Sequence, residues 1–257
     1  MLARRDLLKG AAAMPAAGLS LATILANPEL ARAAAGELET VTITNANGNR
    51  VSGALALPDR TPAATIAVIH EWWGLNDQIK AFTGELAKLG YAALAVDLMG
   101  GVATTPDEAR KLMQAVNPAE ATATMAAWVD WLRSHEKGTG KVGTIGFCFG
   151  GGWSFNASLA RPVDATVIYY GNVAKTAEQL APLKGPVLGH FATQDQFINK
   201  PMVDGFEKAM AAAGKPLDVY WYEANHAFAN PSGGRYDAED AKLAMERSMA
   251  FFGKHLA

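Results

Sequence analysis

The chain has 257 residues, room for one large domain with a sizeable core. Half of its residues are hydrophobic and 19% are charged, an ordinary globular composition without low-complexity tracts or internal repeats. A formal charge of −2 with no basic run argues against a nucleic-acid partner, and a single cysteine excludes an intrachain disulfide and any cysteine-rich metal site. No metal and no cofactor is expected.

The first 33 residues look like an export signal. Arg4-Arg5-Asp6-Leu7-Leu8-Lys9 is a twin-arginine pattern, and an uncharged stretch from Gly10 to Asn27 follows, interrupted by Pro15 and Gly18. Ala31-Arg32-Ala33 supplies a small-residue cleavage site. Residues 1–33 are therefore expected to engage the twin-arginine export machinery and be removed. A periplasmic or otherwise exported domain, 34–257, would remain, without stable membrane association. The alternative, a retained anchor, is opposed by a stretch that is short for a span and broken by Gly and Pro.

From Leu38 onward strand and helix patterns alternate. Val41–Thr44 and Val51–Leu57 read as a hairpin turned at Asn47-Gly48. Thr65–Ile69 is a continuous apolar run, as a buried parallel strand requires, followed by a helix over Gln78–Leu89 that Gly90 stops. Tyr91–Val96 is a second buried strand. Helices are expected at about Pro106–Val116 and Pro118–Glu136, then a strand over Val142–Gly146 and a helix over Trp153–Ala160. Strands at Ala165–Tyr170, Val187–Phe191 and Leu217–Tyr222 and helices at Lys200–Ala213 and Ala238–Phe252 complete the chain. This alternation predicts a single α/β domain: a mostly parallel, doubly wound sheet with helices on both faces.

The lone cysteine lies in Gly146-Phe147-Cys148-Phe149-Gly150, directly after the strand Val142–Gly146. G-x-C-x-G between a strand and a helix has the form of a nucleophile elbow with sulfur in place of serine oxygen. The turn is tight, so small residues are needed on either side, and Gly146, Gly150 and Gly151 meet that need. Helix amides aimed at the sulfur favour thiolate, and the amide of Phe149 is placed to donate to an oxyanion. The alternative is a buried structural cysteine in a Gly-rich turn.

A thiol nucleophile needs a base, and the base needs an orienting carboxylate. Asp195 follows the strand ending at Phe191, and His226 follows the strand ending at Tyr222, both where functional residues of such sheets gather. His190 falls inside a strand and is expected to be packed; His135 and His255 lie at helix ends, and Asp164 and Asp218 at the opposite edge of the sheet. The strand Thr65–Ile69 runs into His70-Glu71-Trp72-Trp73-Gly74. Trp72 is the candidate second oxyanion amide, and Glu71 a carboxylate delivered next to the sulfur, able to take its proton or pair with a histidine. Trp72, Trp73 and Phe149 are expected to form an aromatic wall.

With those segments, Gly90–Leu98 and Asn225-His226-Ala227-Phe228, the chain resembles the dienelactone hydrolase (carboxymethylenebutenolidase) family of α/β-hydrolases over essentially its whole length after Glu37. The resemblance implies a Cys148–His226–Asp195 triad, with Glu71 holding the thiol at rest and accepting its proton when substrate binds. It implies ester or lactone hydrolysis on a small molecule by a monomer, with Trp73, Met99 and Phe228 contacting substrate. Arginines that clamp the substrate carboxylate in the best-known members are missing from Asp97-Leu98-Met99-Gly100-Gly101 and His226-Ala227-Phe228-Ala229-Asn230; Arg235 is out of register. Losing a bidentate clamp disfavours an anionic dienelactone. A catalytically idle binding protein and a peroxide-reducing thiol are the competing functions; the second lacks a resolving cysteine.

Overall fold

The strands that are apolar throughout form the middle of the sheet, and those that alternate form its edges. The computed structural model describes residues 20–257. The twin-arginine motif lies outside the described residues. In chain order the elements are α1 (Leu21–Ala26), α2 (Pro28–Ala35), β1 (Glu39–Thr44), β2 (Arg50–Ala56), β3 (Ala63–Ile69), α3 (Asp77–Lys88), β4 (Ala92–Val96) and α4 (Pro106–Ala115). They continue with α5 (Pro118–Ser134), β5 (Gly138–Phe147), α6 (Phe149–Ala160), β6 (Ala165–Tyr169), β7 (Val187–Ala192), α7 (Lys200–Ala212), β8 (Leu217–Tyr222) and α8 (Ala238–His255). The strands make one eight-stranded sheet in the order β1-β2-β4-β3-β5-β6-β7-β8. Only the β1–β2 and β2–β4 pairings are antiparallel.

Burial follows position in that order. Strands β4, β6 and β7 are buried at every residue, whereas the edge strands β1 and β8 alternate exposed and covered positions. On one face Ile66, Val68, Ala95 and Val167 pack under α3 and α8. On the other, Ala67, Ile69, Leu94 and Val96 meet Trp128 and Val129 of α5 and Trp153 of α6. Phe155, Phe206 and Met210 extend that second layer to α7. The right-handed β-α crossovers bring the loops after β3, β5, β7 and β8 to one edge of the sheet.

Two elements start four residues earlier than the sequence reading has them. Strand β5 begins at Gly138 rather than Val142, because its first residues pair with Ala63 across an irregularity in the β3–β5 register. Helix α6 begins at Phe149 rather than Trp153, so three consecutive glycines sit in its first turns. Glycine is a poor helix former, which hides this start from propensity. Close packing requires it: a Cβ on Gly150 would collide with the carbonyls of Ile69 and His70, and one on Gly151 with the carbonyl of Tyr169.

Part of the expected export signal is described as well. Ser20 caps α1, Asn27 caps α2 ahead of Pro28, and Ile24, Leu25 and Ala31 are buried against the α3 face. Among the described residues no helix is long and apolar enough to cross a membrane.

Candidate active site

Strand β5 ends at Phe147 and α6 starts at Phe149, leaving Cys148 alone to make the turn, with φ 56° and ψ −116°. Positive φ is costly for a side chain with Cβ, and the surrounding packing holds it. A Cβ on Gly146 would strike the carbonyl of Gly150, so the turn closes only with glycine there. The elbow directs the sulfur out of the sheet, where the backbone N–H groups of Phe149 and Trp72 are near enough to pull its pKa down.

His226 arrives from the loop after β8. His226 Nδ1 donates to Asp195 Oδ2 at 2.6 Å, and its Nε2 lies 3.1 Å from Cys148 Sγ. Asp195 is fixed in turn: its Oδ1 accepts from the N–H of Phe197 at 2.7 Å and of Ile198 at 3.0 Å. Burial would raise its carboxyl, but hydrogen bonds from His226, Ile198 and Phe197 hold it below the ordinary value. The two loops are laced together by Gln194 N–H to the Ala224 carbonyl, 3.0 Å, and Asn225 Nδ2 to Gln194 Oε1, 3.0 Å. Nδ1 carries the proton towards Asp195, so Nε2 is left as the acceptor for the thiol.

Glu71 is buried rather than exposed, and burial raises its carboxyl even though Asn230, His226, Tyr170 and Arg235 pull it down. Its Oε2 accepts from Asn230 Nδ2 at 2.6 Å and its Oε1 from the Tyr170 hydroxyl at 3.4 Å. The sulfur is paired with His226, and Glu71 with Asn230, which departs from the expected Glu71–thiol pairing. A second correction concerns the thiol itself. Burial first and the charge of Glu71 second push Cys148 up to about 12, outweighing the amides of Phe149 and Trp72. The amides at the start of α6 therefore do not bring the thiol below its ordinary value.

The remaining sequence candidates divide. The rings of Trp72 and Trp73 lie 5.0 Å apart, both half-buried, and Phe149 stacks on His70. The Met99 loop lies across Trp73: Asp97 Oδ1 accepts from the N–H groups of Met99 and Gly100, and Ala103 N–H donates to the Trp73 carbonyl at 2.9 Å. Phe228 does not line a cleft. It is fully buried between Tyr170 and Tyr222, where no substrate reaches it. The sequence reading missed Tyr170 and Asn230, which hold Glu71, and Phe197, which is 66% exposed with its ring edge-on to His226 at 5.4 Å. Tyr170 follows a parallel strand, so its place at the carboxyl edge was an available signal; the other two lie in irregular loops.

His190 is packed as expected, Nδ1 2.8 Å from the Tyr222 hydroxyl and Nε2 3.0 Å from Ser248 Oγ. A cavity of about 710 Å³ touches Glu71, Tyr170 and Asn230, walled by apolar side chains of α1, α3 and α8. It reaches none of Cys148, Asp195 and His226. Among the described residues no group of three or more His, Cys, Asp or Glu is arranged to hold a metal ion.

The model of the dienelactone hydrolase family matches residues 51–256. This chain belongs to the dienelactone hydrolase family. Its similarity to characterised members is spread over the domain. The carboxymethylenebutenolidases of Pseudomonas putida and Pseudomonas knackmussii are each 31% identical over 229 residues, covering 83% of this chain and 95% of theirs. Among solved structures, a dienelactone hydrolase-like promiscuous phosphotriesterase from metagenomic libraries shares the fold with a TM-score of 0.78. It is 22% identical and covers 86% of this chain and 99% of its own. A thermophilic esterase of Thermogutta terrifontis shares it with a TM-score of 0.64 at 17% identity, over 86% of this chain and 93% of its own. The protein is thus an α/β-hydrolase and a hydrolase of the dienelactone hydrolase family.

Proposed function

We propose that this family member hydrolyses small neutral esters or lactones through an acyl intermediate on Cys148. One observation carries the reading: Cys148 Sγ lies 3.1 Å from His226 Nε2, and the other ring nitrogen is bonded to Asp195 at 2.6 Å. His226 Nε2 takes the S–H proton as sulfur attacks the carbonyl carbon. The carbonyl oxygen becomes an oxyanion held by the amides of Trp72 and Phe149. Collapse expels the alkoxide, which takes the proton from His226. Water then gives a proton to Nε2 and attacks the thioester; the acid leaves, and sulfur recovers its proton. Asp195 orients the imidazole and stabilises its charged form. Glu71 raises the thiol at rest, which keeps the sulfur protonated between turnovers.

The preference for a neutral substrate rests on charge. The stretch His226–Asn230, where the resemblance leads one to expect a clamping arginine, has none, and its Asn230 is already bonded to Glu71. Arg235, the cation acting on Glu71, is exposed, so solvent screens it. A carboxylate on the substrate would meet Glu71 and Asp195 without a bidentate partner.

The decisive test is turnover of p-nitrophenyl acetate and of neutral and anionic lactones by wild type and Cys148→Ala. We expect wild-type turnover favouring neutral substrates and loss of all of it in Cys148→Ala or after iodoacetamide. Activity retained in Cys148→Ala ends the cysteine mechanism; a strong preference for anionic dienelactones ends the charge argument.

Export by the twin-arginine route belongs to the same proposal, supported by Arg4-Arg5 and Ala31-Arg32-Ala33. A domain with no disulfide to form suits a route that carries folded proteins. An intact mass beginning at Ala34 is expected for the exported protein, and a mass retaining residues 1–33 would count against cleavage.

A further inference from the structure

We propose that His70 is a positioning residue that aims both oxyanion amides at the Cys148 sulfur. The inference rests on the acyl-transfer reading above and adds a part to it. His70 immediately follows β3 and is fully buried. Its Nε2 accepts from the N–H of Leu98 at 3.2 Å. A backbone N–H only donates, so Nε2 holds the lone pair and Nδ1 carries the proton. That proton goes to the Glu71 carbonyl at 2.6 Å.

The Glu71 carbonyl and the Trp72 N–H belong to one planar peptide unit, and in a trans unit they point in opposite directions. Pinning the carbonyl on one side therefore fixes where the amide points on the other, the side on which Trp72 N–H acts on the Cys148 thiol. The Gly74 N–H donates to the same carbonyl at 3.2 Å and closes the turn, but the shorter bond is the one from His70. The ring of His70 also stacks on Phe149, with centroids 5.8 Å apart and planes 15° apart, and Phe149 supplies the other amide. One neutral imidazole thus braces both donors and ties the loop after β3 to the loop after β4. Burial lowers the His70 pKa, which keeps the ring in the single-donor form this arrangement needs.

The test compares His70→Leu, His70→Asn and His70→Gln by kcat and KM on p-nitrophenyl acetate and by the rate of Cys148 alkylation with iodoacetamide. Alkylation uses the nucleophile and its base but builds no oxyanion. His70→Leu should lower kcat about 10- to 100-fold, less than outright loss of an oxyanion donor, with KM near wild type and alkylation slowed by no more than about threefold. Asn places a donor near Nδ1 and should recover most of the loss; Gln reaches towards Leu98 instead and should not. Wild-type kcat in His70→Leu, equal losses in all three variants, or turnover and alkylation falling together would overturn the positioning role. Should His70→Leu fail to fold, the Asn–Gln difference decides alone. Absence of Cys148-dependent turnover in wild type overturns the hydrolase reading itself, and the oxyanion role with it.

Discussion

His226 and His190 are held by neighbouring strands, and their fates are opposite. His190 lies inside β7, wholly enclosed, bonded to two hydroxyls with Arg247 close by. Burial first and Arg247 second push its pKa down to about 3, so it stays neutral. His226 lies past the end of β8, with a carboxylate on one nitrogen and a thiol on the other. The difference is the anion and the opening. An imidazole can carry a proton through a reaction only where its charged form is stabilised, and in the mechanism proposed above Asp195 has that part. Enclosure with hydroxyl partners makes His190 a packing residue with polar ends.

Exchanging either histidine separates these roles. His226→Gln should cut kcat about 10³-fold or more, as loss of a triad base does. His190→Gln, measured on the same ester, should stay within about threefold of wild type. Comparable losses in the two would erase the distinction.

A second consequence concerns acid stability. The folded pKa of His190 is depressed from 6.5 to about 3. The unfolded chain therefore binds a proton that the folded chain refuses. Above pH 6.5 nothing is lost, and as pH falls from 6.5 towards 3 this group opposes folding by up to about 1.4 kcal/mol per pH unit. Thermal melts of His190→Gln against wild type between pH 7 and 4 should show a shallower acid decline in the variant. Parallel curves would mean that His190 is not buried as a neutral group.

The smallest effect is expected at Phe197, whose exposed ring stands beside His226. Phe197→Ala should raise KM by about two- to fivefold with little change in kcat, the signature of lost substrate contact. A kcat loss without a KM change would instead place the ring in holding His226.

Much of the site was legible because its parts are local. Gly146, Cys148 and Gly150 sit in one turn, and Asp195 and His226 each follow a strand, so spacing and edge position suffice to find them. Glu71 and Trp72 were found the same way, at the end of β3. Phe228 was misjudged because its neighbours Tyr170 and Tyr222 stand at the ends of β6 and β8, and nothing in Ala227-Phe228-Ala229 reveals them. The start of α6 was missed because glycines that disfavour a helix locally are demanded by backbone crowding with β3 and β6.

By itself the sequence determined the layered α/β architecture, the elbow and the order in which Cys148, Asp195 and His226 reach one edge of the sheet. Strand and helix periodicities and turn chemistry are short-range properties written directly into adjacent residues. Only the tertiary structure decided how those groups are paired. Asn230 reaches Glu71 across 159 positions, and His226 takes the thiol across 78. The resting state of the sulfur depends on burial and on the charge of Glu71, two quantities that exist only once distant segments have packed together.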